Sequence, residues 1–137
     1  MEKTVFTVYG DPIGKARPRW FRGHMYTPEK TKRYEEKIRE SFREEGGKKF
    51  PDECYIGVEV ICYYKIPKSA SGKKKEEMNT GILRPVKKPD IDNVLKCVLD
   101  GLNGTAYEDD KQVVRCSISK HYGFSPKIMV TVYEEKE

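Results

Sequence analysis

Pro89-Asp90-Ile91-Asp92-Asn93-Val94-Leu95-Lys96-Cys97-Val98-Leu99-Asp100-Gly101-Leu102 is the stretch that decides the fold. Val94, Leu95, Val98, Leu99 and Leu102 recur at helical spacing and make one apolar face. Asn93, Lys96 and Asp100 follow at intervals of three and four and form a polar stripe opposite it. Pro89 disfavours helix at the residue before it, so the helix runs from Asp90, which can be its cap, to Leu102. Before this helix, Tyr55–Ile66 is rich in β-branched and aromatic residues and reads as a long strand, with Ile56, Val58, Val60 and Cys62 on one face. After it, Val113–Tyr122 and Ile128–Tyr133 read as two more strands, joined through Gly123-Phe124-Ser125-Pro126.

Working outward, Thr4–Tyr9 alternates like a strand and ends at Gly10-Asp11-Pro12. Lys15 to Tyr26 is basic and aromatic, with room for a short hairpin around Arg22-Gly23. Thr27 can cap a helix that has Pro28 at its first position. Tyr34, Ile38 and Phe42 give that helix a narrow apolar stripe, and Gly46-Gly47 stops it. Pro67 to Pro89 is polar, contains Ser69-Ala70-Ser71-Gly72 and Lys73-Lys74-Lys75, and is expected to be partly mobile and able to close over a ligand. The order is β-α-β-α-β-β, without an internal repeat. The expected fold class is α/β (α+β): one small domain over residues 1–137, a mixed sheet packed with two main helices.

The chain has 137 residues, enough for one domain and not for a second core. Charged residues reach 36%, yet 15 aromatics (1 Trp, 9 Tyr, 5 Phe) and clear periodicity argue against disorder. The net charge of +5 hints at a polyanionic partner. Its distribution says more. Twelve basic and six acidic residues lie between Pro12 and Phe50, and eight basic and two acidic between Tyr64 and Lys88. From Pro89 to Gln112 the sign reverses, with six acidic residues against two basic. No apolar run approaches the roughly 18 residues that span a membrane, and no signal-peptide core is present. Cys54, Cys62, Cys97 and Cys116 form no C-x-x-C pair, which argues against zinc and for buried free thiols in a cytoplasmic location. The sequon Asn103-Gly104-Thr105 carries no weight without a secretory signal.

Three stretches carry candidate chemistry. In Lys88-Pro-Asp-Ile-Asp-Asn-Val-Leu-Lys96, a cap position for Asp90 lets its carboxylate and that of Asp92 converge above the helix end. An ordinary capped amphipathic helix explains the same residues equally well. Tyr107-Glu-Asp-Asp-Lys-Gln112 alone reads as an acidic turn. If it folds beside the helix start, Asp90, Asp92 and Asp110, with Asp109, share one pocket. Two carboxylates roughly 5 Å apart repel by about 3 kcal/mol at an effective dielectric of 20. A helix N-terminus offsets only about 0.3–1 kcal/mol per charge. Such a cluster therefore calls for a cation, and all-oxygen ligands suit Mg²⁺ or Mn²⁺. Lys96, one turn beyond Asp92, could stabilise a developing phosphorane, which points to a metal-dependent phosphodiesterase. Gly14-Lys-Ala-Arg-Pro-Arg-Trp-Phe-Arg22 interleaves cations and aromatics, as phosphate contact and base stacking require; a basic loop packed on the sheet is the plainer alternative. Gly10 to Lys15 has one residue too few for a P-loop, and Ala16 replaces its Ser or Thr, so no nucleotide cofactor is expected. Lys73-Lys74-Lys75 with Lys87 and Lys88 could hold a nucleic-acid backbone; Lys87 and Lys88 abut the acidic motif and are the better candidates, while a solvated run is the favoured reading of the triplet.

Lys88-Pro-Asp-Ile-Asp-Asn-Val-Leu-Lys96, Asp100-Gly-Leu-Asn103, Tyr107-Glu-Asp-Asp-Lys-Gln-Val113 and the basic Gly14-Lys-Ala-Arg-Pro-Arg19 together resemble the RusA family of Holliday-junction resolvases. Val94 stands where that family often has Leu. The resemblance implies a small, homodimeric, Mg²⁺-dependent endonuclease, often prophage-borne, that cuts four-way DNA junctions by paired incisions. It implies metal-binding roles for Asp90, Asp92 and Asp110, a catalytic role for Lys96, and less defined roles for Asp109 and Asp100. A two-fold dimer would present two acidic clusters to two symmetric incisions. On this reading Lys15, Arg17, Arg19, Lys87 and Lys88 position the DNA backbone. The competing expectation is a non-catalytic DNA-binding or phage structural module whose acidic cluster organises a turn.

Overall fold

Period-two alternation along β4 (Ile56–Lys65) buries Ile56, Val58, Val60, Cys62 and Tyr64 on one face. The computed structural model, which describes residues 2–136, places this strand in the interior of a four-stranded sheet. It pairs in parallel with β5 (Val113–Gly123) and antiparallel with β6 (Lys127–Glu134). β1 (Lys3–Tyr9) adds antiparallel to the far side of β6, so the order is β1-β6-β4-β5. The expected mixed sheet is thus observed. Because β4 and β5 run parallel, the chain between them must cross back over the sheet.

α1 (Glu29–Glu44) and α3 (Ile91–Leu102) cover the sheet's buried face. The expected stripe of α1 is buried, with Thr31 added to Tyr34, Ile38 and Phe42. Phe42 meets Phe6 of β1 edge to face, with ring centroids 5.9 Å apart. Gly46, at φ +78°, lets the chain leave α1: its N–H donates to Arg43 O and that of Gly47 to Phe42 O, satisfying two terminal carbonyls. At the other end the structure corrects the expected cap. Pro28 rather than Thr27 holds the cap position, with extended backbone and no side-chain bond. Its carbonyl accepts from the N–H groups of Thr31 and Lys32, and it has no N–H of its own to satisfy.

A second correction concerns residues 67–89. Their middle is ordered as α2 (Gly72–Asn79), whose first turn is capped by the Ser71 hydroxyl accepting from the Lys74 N–H at 3.2 Å. None of its residues is buried, so no hydrophobic period marks it; the helix rests on its cap and on good helix formers. The basic stretch forms a separate hairpin of β2 (Arg19–Phe21) and β3 (His24–Tyr26), as the Arg22-Gly23 pair suggested. The cysteines are all free: Cys62 and Cys97 are buried, while Cys116 is exposed, contrary to expectation. No described helix is long and apolar enough to cross a membrane.

α1 and α3 approach closely at Gly101. A Cβ there would lie 3.3 Å from the Glu35 carbonyl oxygen and 3.4 Å from Ile38 Cβ. The Arg39 guanidinium donates across the same crossing to the Gly101 carbonyl at 3.2 Å. This contact sets Glu35 of α1 against the polar side of α3.

A 3₁₀ turn, Asp110–Gln112, ends the crossover. Its anchor is the buried Gln112. The amide nitrogen of that side chain donates to Pro51 O at 3.1 Å and Cys54 O at 3.2 Å, and its oxygen accepts from the Glu108 N–H at 3.0 Å. Gln112→Ala should therefore lower unfolding free energy by about 2–3 kcal/mol, because it leaves buried backbone groups unpaired. Urea unfolding followed by circular dichroism checks this; a loss under about 0.5 kcal/mol, the range of ordinary surface substitutions, would mean that the anchor carries little.

Candidate active site

The start of α3 is tied to the sheet from below. Tyr64, near the end of β4, donates its hydroxyl to the Pro89 carbonyl at 3.0 Å. Lys120 of β5 donates to the Lys87 carbonyl at 2.7 Å. The ammonium groups of Lys87 and Lys120 lie 5.7 and 5.4 Å from the centroid of the Tyr64 ring, within cation–π range. Burial, with smaller contributions from Cys62 and Asp90, pushes the Tyr64 hydroxyl up to about 12, so it stays a proton donor at neutral pH. Asp90 takes the expected cap position, with extended backbone (φ −69°, ψ 150°). Its carboxylate makes no capping bond, while its carbonyl accepts from the Val94 N–H at 3.1 Å. Asp92 follows in the first turn, and both residues are exposed.

The N-terminal basic segment lies against this helix start. The Lys15 N–H donates to Asn93 O at 2.9 Å. Gly14 permits the approach: a Cβ there would stand 3.0 Å from the Cβ atoms of both Asn93 and Pro89. The Lys15 ammonium then turns inward, 2.7 Å from Glu35 Oε2 and 3.2 Å from Asp100 Oδ2. Only 14% of its side chain remains accessible. Burial pulls its pKa down, but the hydrogen bonds to the two carboxylates outweigh this and raise it overall. Lys15 was expected at a DNA phosphate; the structure commits its charge to two protein carboxylates instead.

The acidic turn sits beside the C-terminal half of α3. Tyr107 is fully buried and donates its hydroxyl to Leu99 O at 2.7 Å. Lys49 pairs with Glu108. These contacts and the Gln112 anchor bring Asp109 and Asp110 close to Asp100 and Lys96. The Asp110 carboxyl is raised above the usual carboxylate range, first by burial, then by Asp109 and Asp100; Lys96 opposes the shift. Asp90 and Asp92 lie earlier on the helix, at about 1.5 Å of rise per residue. Among the described residues, no three His, Cys, Asp or Glu side chains close on one point tightly enough to hold a metal ion. The shared pocket expected for Asp90, Asp92 and Asp110 is therefore not closed.

Arg17, Arg19, Lys87, Lys88 and Lys96 are exposed, as contact with a phosphate backbone requires. Glu35, Tyr64 and Lys120 were not foreseen. Glu35 is one charged residue among many on α1, and only the close helix crossing reveals its role. Tyr64 continued the buried face of its strand, which gave no sign of a bond to Pro89.

The model of the family described as endodeoxyribonuclease RusA matches residues 9–133 of this chain. The chain belongs to the RusA endodeoxyribonuclease family. The uncharacterized protein YqaN of Bacillus subtilis (strain 168) is 38% identical over 143 residues, covering 98% of each chain. Membership makes this an enzyme, a phosphodiester hydrolase of a Holliday-junction-resolving family, and sets aside the non-catalytic module. It also places the chain among nucleases that generally use a divalent metal.

Asp109→Asn should lower the Asp110 titration midpoint in metal-free protein, because it removes a negative neighbour and a hydrogen bond that favour the protonated form. Carbon-detected NMR of the carboxyl group reads this directly. An unchanged midpoint would show that Asp109 contributes little and that burial and Asp100 set the shift.

Proposed function

We propose that this RusA-family enzyme resolves four-way DNA junctions as a homodimer, by Mg²⁺-dependent paired incision, with Mn²⁺ able to substitute. The observation that carries the proposal is the grouping of Asp109 and Asp100 about a partly buried Asp110, beside a helix whose capping carboxylate makes no capping bond. The donor chemistry fits a hard divalent cation, since every candidate ligand is a carboxylate oxygen. Asp90, Asp92 and Asp110, with Asp109, would hold it. A bound cation supplies Lewis acidity and lowers the pKa of water.

The remaining roles belong to the chain. Lys96 holds a positive charge within electrostatic reach of Asp110, where it offsets charge building on a phosphate under attack. Arg17, Arg19, Lys87 and Lys88 bind the DNA backbone. Lys15 acts through its two carboxylate partners, keeping Asp100 neutralised and the basic segment against α3. A two-fold dimer supplies two such sites, matching the pair of strands to be cut.

A labelled four-way junction, incubated with and without Mg²⁺, tests the reaction. Wild type should cut only with the cation. Asp90→Asn and Asp110→Asn should each lose at least about 100-fold in cleavage rate while still binding the junction. A wild type that binds but never cuts in Mg²⁺ or Mn²⁺ would sink the proposal. Normal cutting by both variants would leave the nuclease standing and remove these ligands from it.

A further inference from the structure

The hairpin β2–β3 has features that folding alone does not demand. Arg22 (φ +51°) and Gly23 (φ +81°) are both left-handed, as a two-residue type I′ turn requires. Opposed residues share a face, so Trp20 and Met25 lie on one side and Arg19, Tyr26, Phe21 and His24 on the other. Every one of these six residues is exposed; Trp20 remains 69% and Phe21 62% accessible. The core gains nothing from aromatics displayed in this way. An isolated two-stranded hairpin is marginal in water at best, which makes a surface partner the natural use of this one.

Charge identifies the partner. Between Asp11 and Glu29 the chain carries Lys15, Arg17, Arg19 and Arg22 and no acidic residue. The Arg22 guanidinium lies 5.3 Å from the Phe21 ring centroid, so cation and aromatic are presented together. Arginine and aromatics also mark protein interfaces, but a run of four cations without an acidic residue matches a polyanion, and interleaved cations and aromatics grip phosphates and stack on bases.

Position narrows the partner further. Lys15 is fixed to Asn93 at the start of α3, and Trp20 follows five residues later. The chain reaches at most about 3.5 Å per residue, so Trp20 lies within roughly 18 Å of that anchor. At about 3.4 Å per nucleotide along a strand, this is a reach of about five nucleotides. Within that range of the incision, a junction differs from duplex at its branch point, where bases can be unstacked.

We propose that the β2–β3 hairpin is a branch-sensing finger, in which Trp20 stacks on an unstacked base at the branch point while Arg17, Arg19 and Arg22 hold the flanking phosphates. The proposal rests on the junction-endonuclease reading above and adds to it the element that tells branched DNA from linear.

Trp20 is the chain's single tryptophan, so fluorescence excited beyond the tyrosine absorption reports on this side chain alone. Full-length wild type is titrated in EDTA with a four-way junction and, separately, with linear duplex of matching sequence. Cleavage is then assayed in Mg²⁺. The junction should quench Trp20 strongly and the duplex little. Trp20→Ala should lower the junction-over-duplex affinity ratio roughly tenfold, toward the lower end of the range for one base–aromatic stack, and Trp20→Phe should restore most of it. Unchanged circular dichroism of both variants is expected from the exposure of the site. Equal quenching by both DNAs, or an unchanged ratio in Trp20→Ala, overturns the finger while leaving the endonuclease intact. A spectrum that shifts with protein concentration before DNA is added assigns the hairpin to a second copy and also overturns it. A wild type that neither binds nor cuts the junction overturns the underlying reading, and the finger with it.

Discussion

The parallel pairing of β4 with β5 is the constraint on which the rest depends. Two parallel neighbours cannot be joined by a hairpin, so the chain must travel back across the sheet before β5 begins. α3 is the main element of that return path. Val94, Cys97, Val98 and Leu102 bury its inner side on the sheet, which leaves Asp92, Lys96 and Asp100 off the core. Asp90, Asp92, Asp100, Asp109 and Asp110 all lie on this one connection. The acidic island is thus the later part of the crossover, from Pro89 to the start of β5.

A second layer fixes the crossover against its surroundings. Tyr64 and Lys120 hold the backbone just before Asp90, and Gln112 holds it just after Asp110. Lys15 links three parts of the chain at once through Asn93, Glu35 and Asp100. A half-buried ion triad of this kind is weak support for stability, because desolvation opposes the Coulomb gain. Its effect is on position. With one cation between two carboxylates, the basic segment has a single favourable register against α3, and the hairpin that grows from it has a fixed root.

Much of this was legible in the residues. Alternation along 56–64 and the heptad-like face of 94–102 depend on burial, and burial leaves a period in the sequence. The Asp90 cap was readable because Pro89 restricts the residue before it and Asp favours the position. α2 was not readable, since a helix that buries nothing has no apolar stripe, and neither was the choice of Pro28 over Thr27. The acidic residues could be named, but their spacing could not. Glu35 comes within reach of Lys15 only because Gly101 lets two helices meet, a distance that no local pattern encodes. The inward turn of Lys15 follows from the same crossing, which is why a basic residue in a basic stretch was expected at phosphate.

The central claim is that the carboxylates of the crossover make a divalent cation site that incision requires. Calorimetric titration of the DNA-free protein with Mn²⁺ tests it most directly, because it needs neither substrate nor turnover. Saturable binding by wild type, weakened at least about tenfold in both Asp90→Asn and Asp110→Asn, is the predicted result. Identical isotherms for wild type and both variants would contradict it.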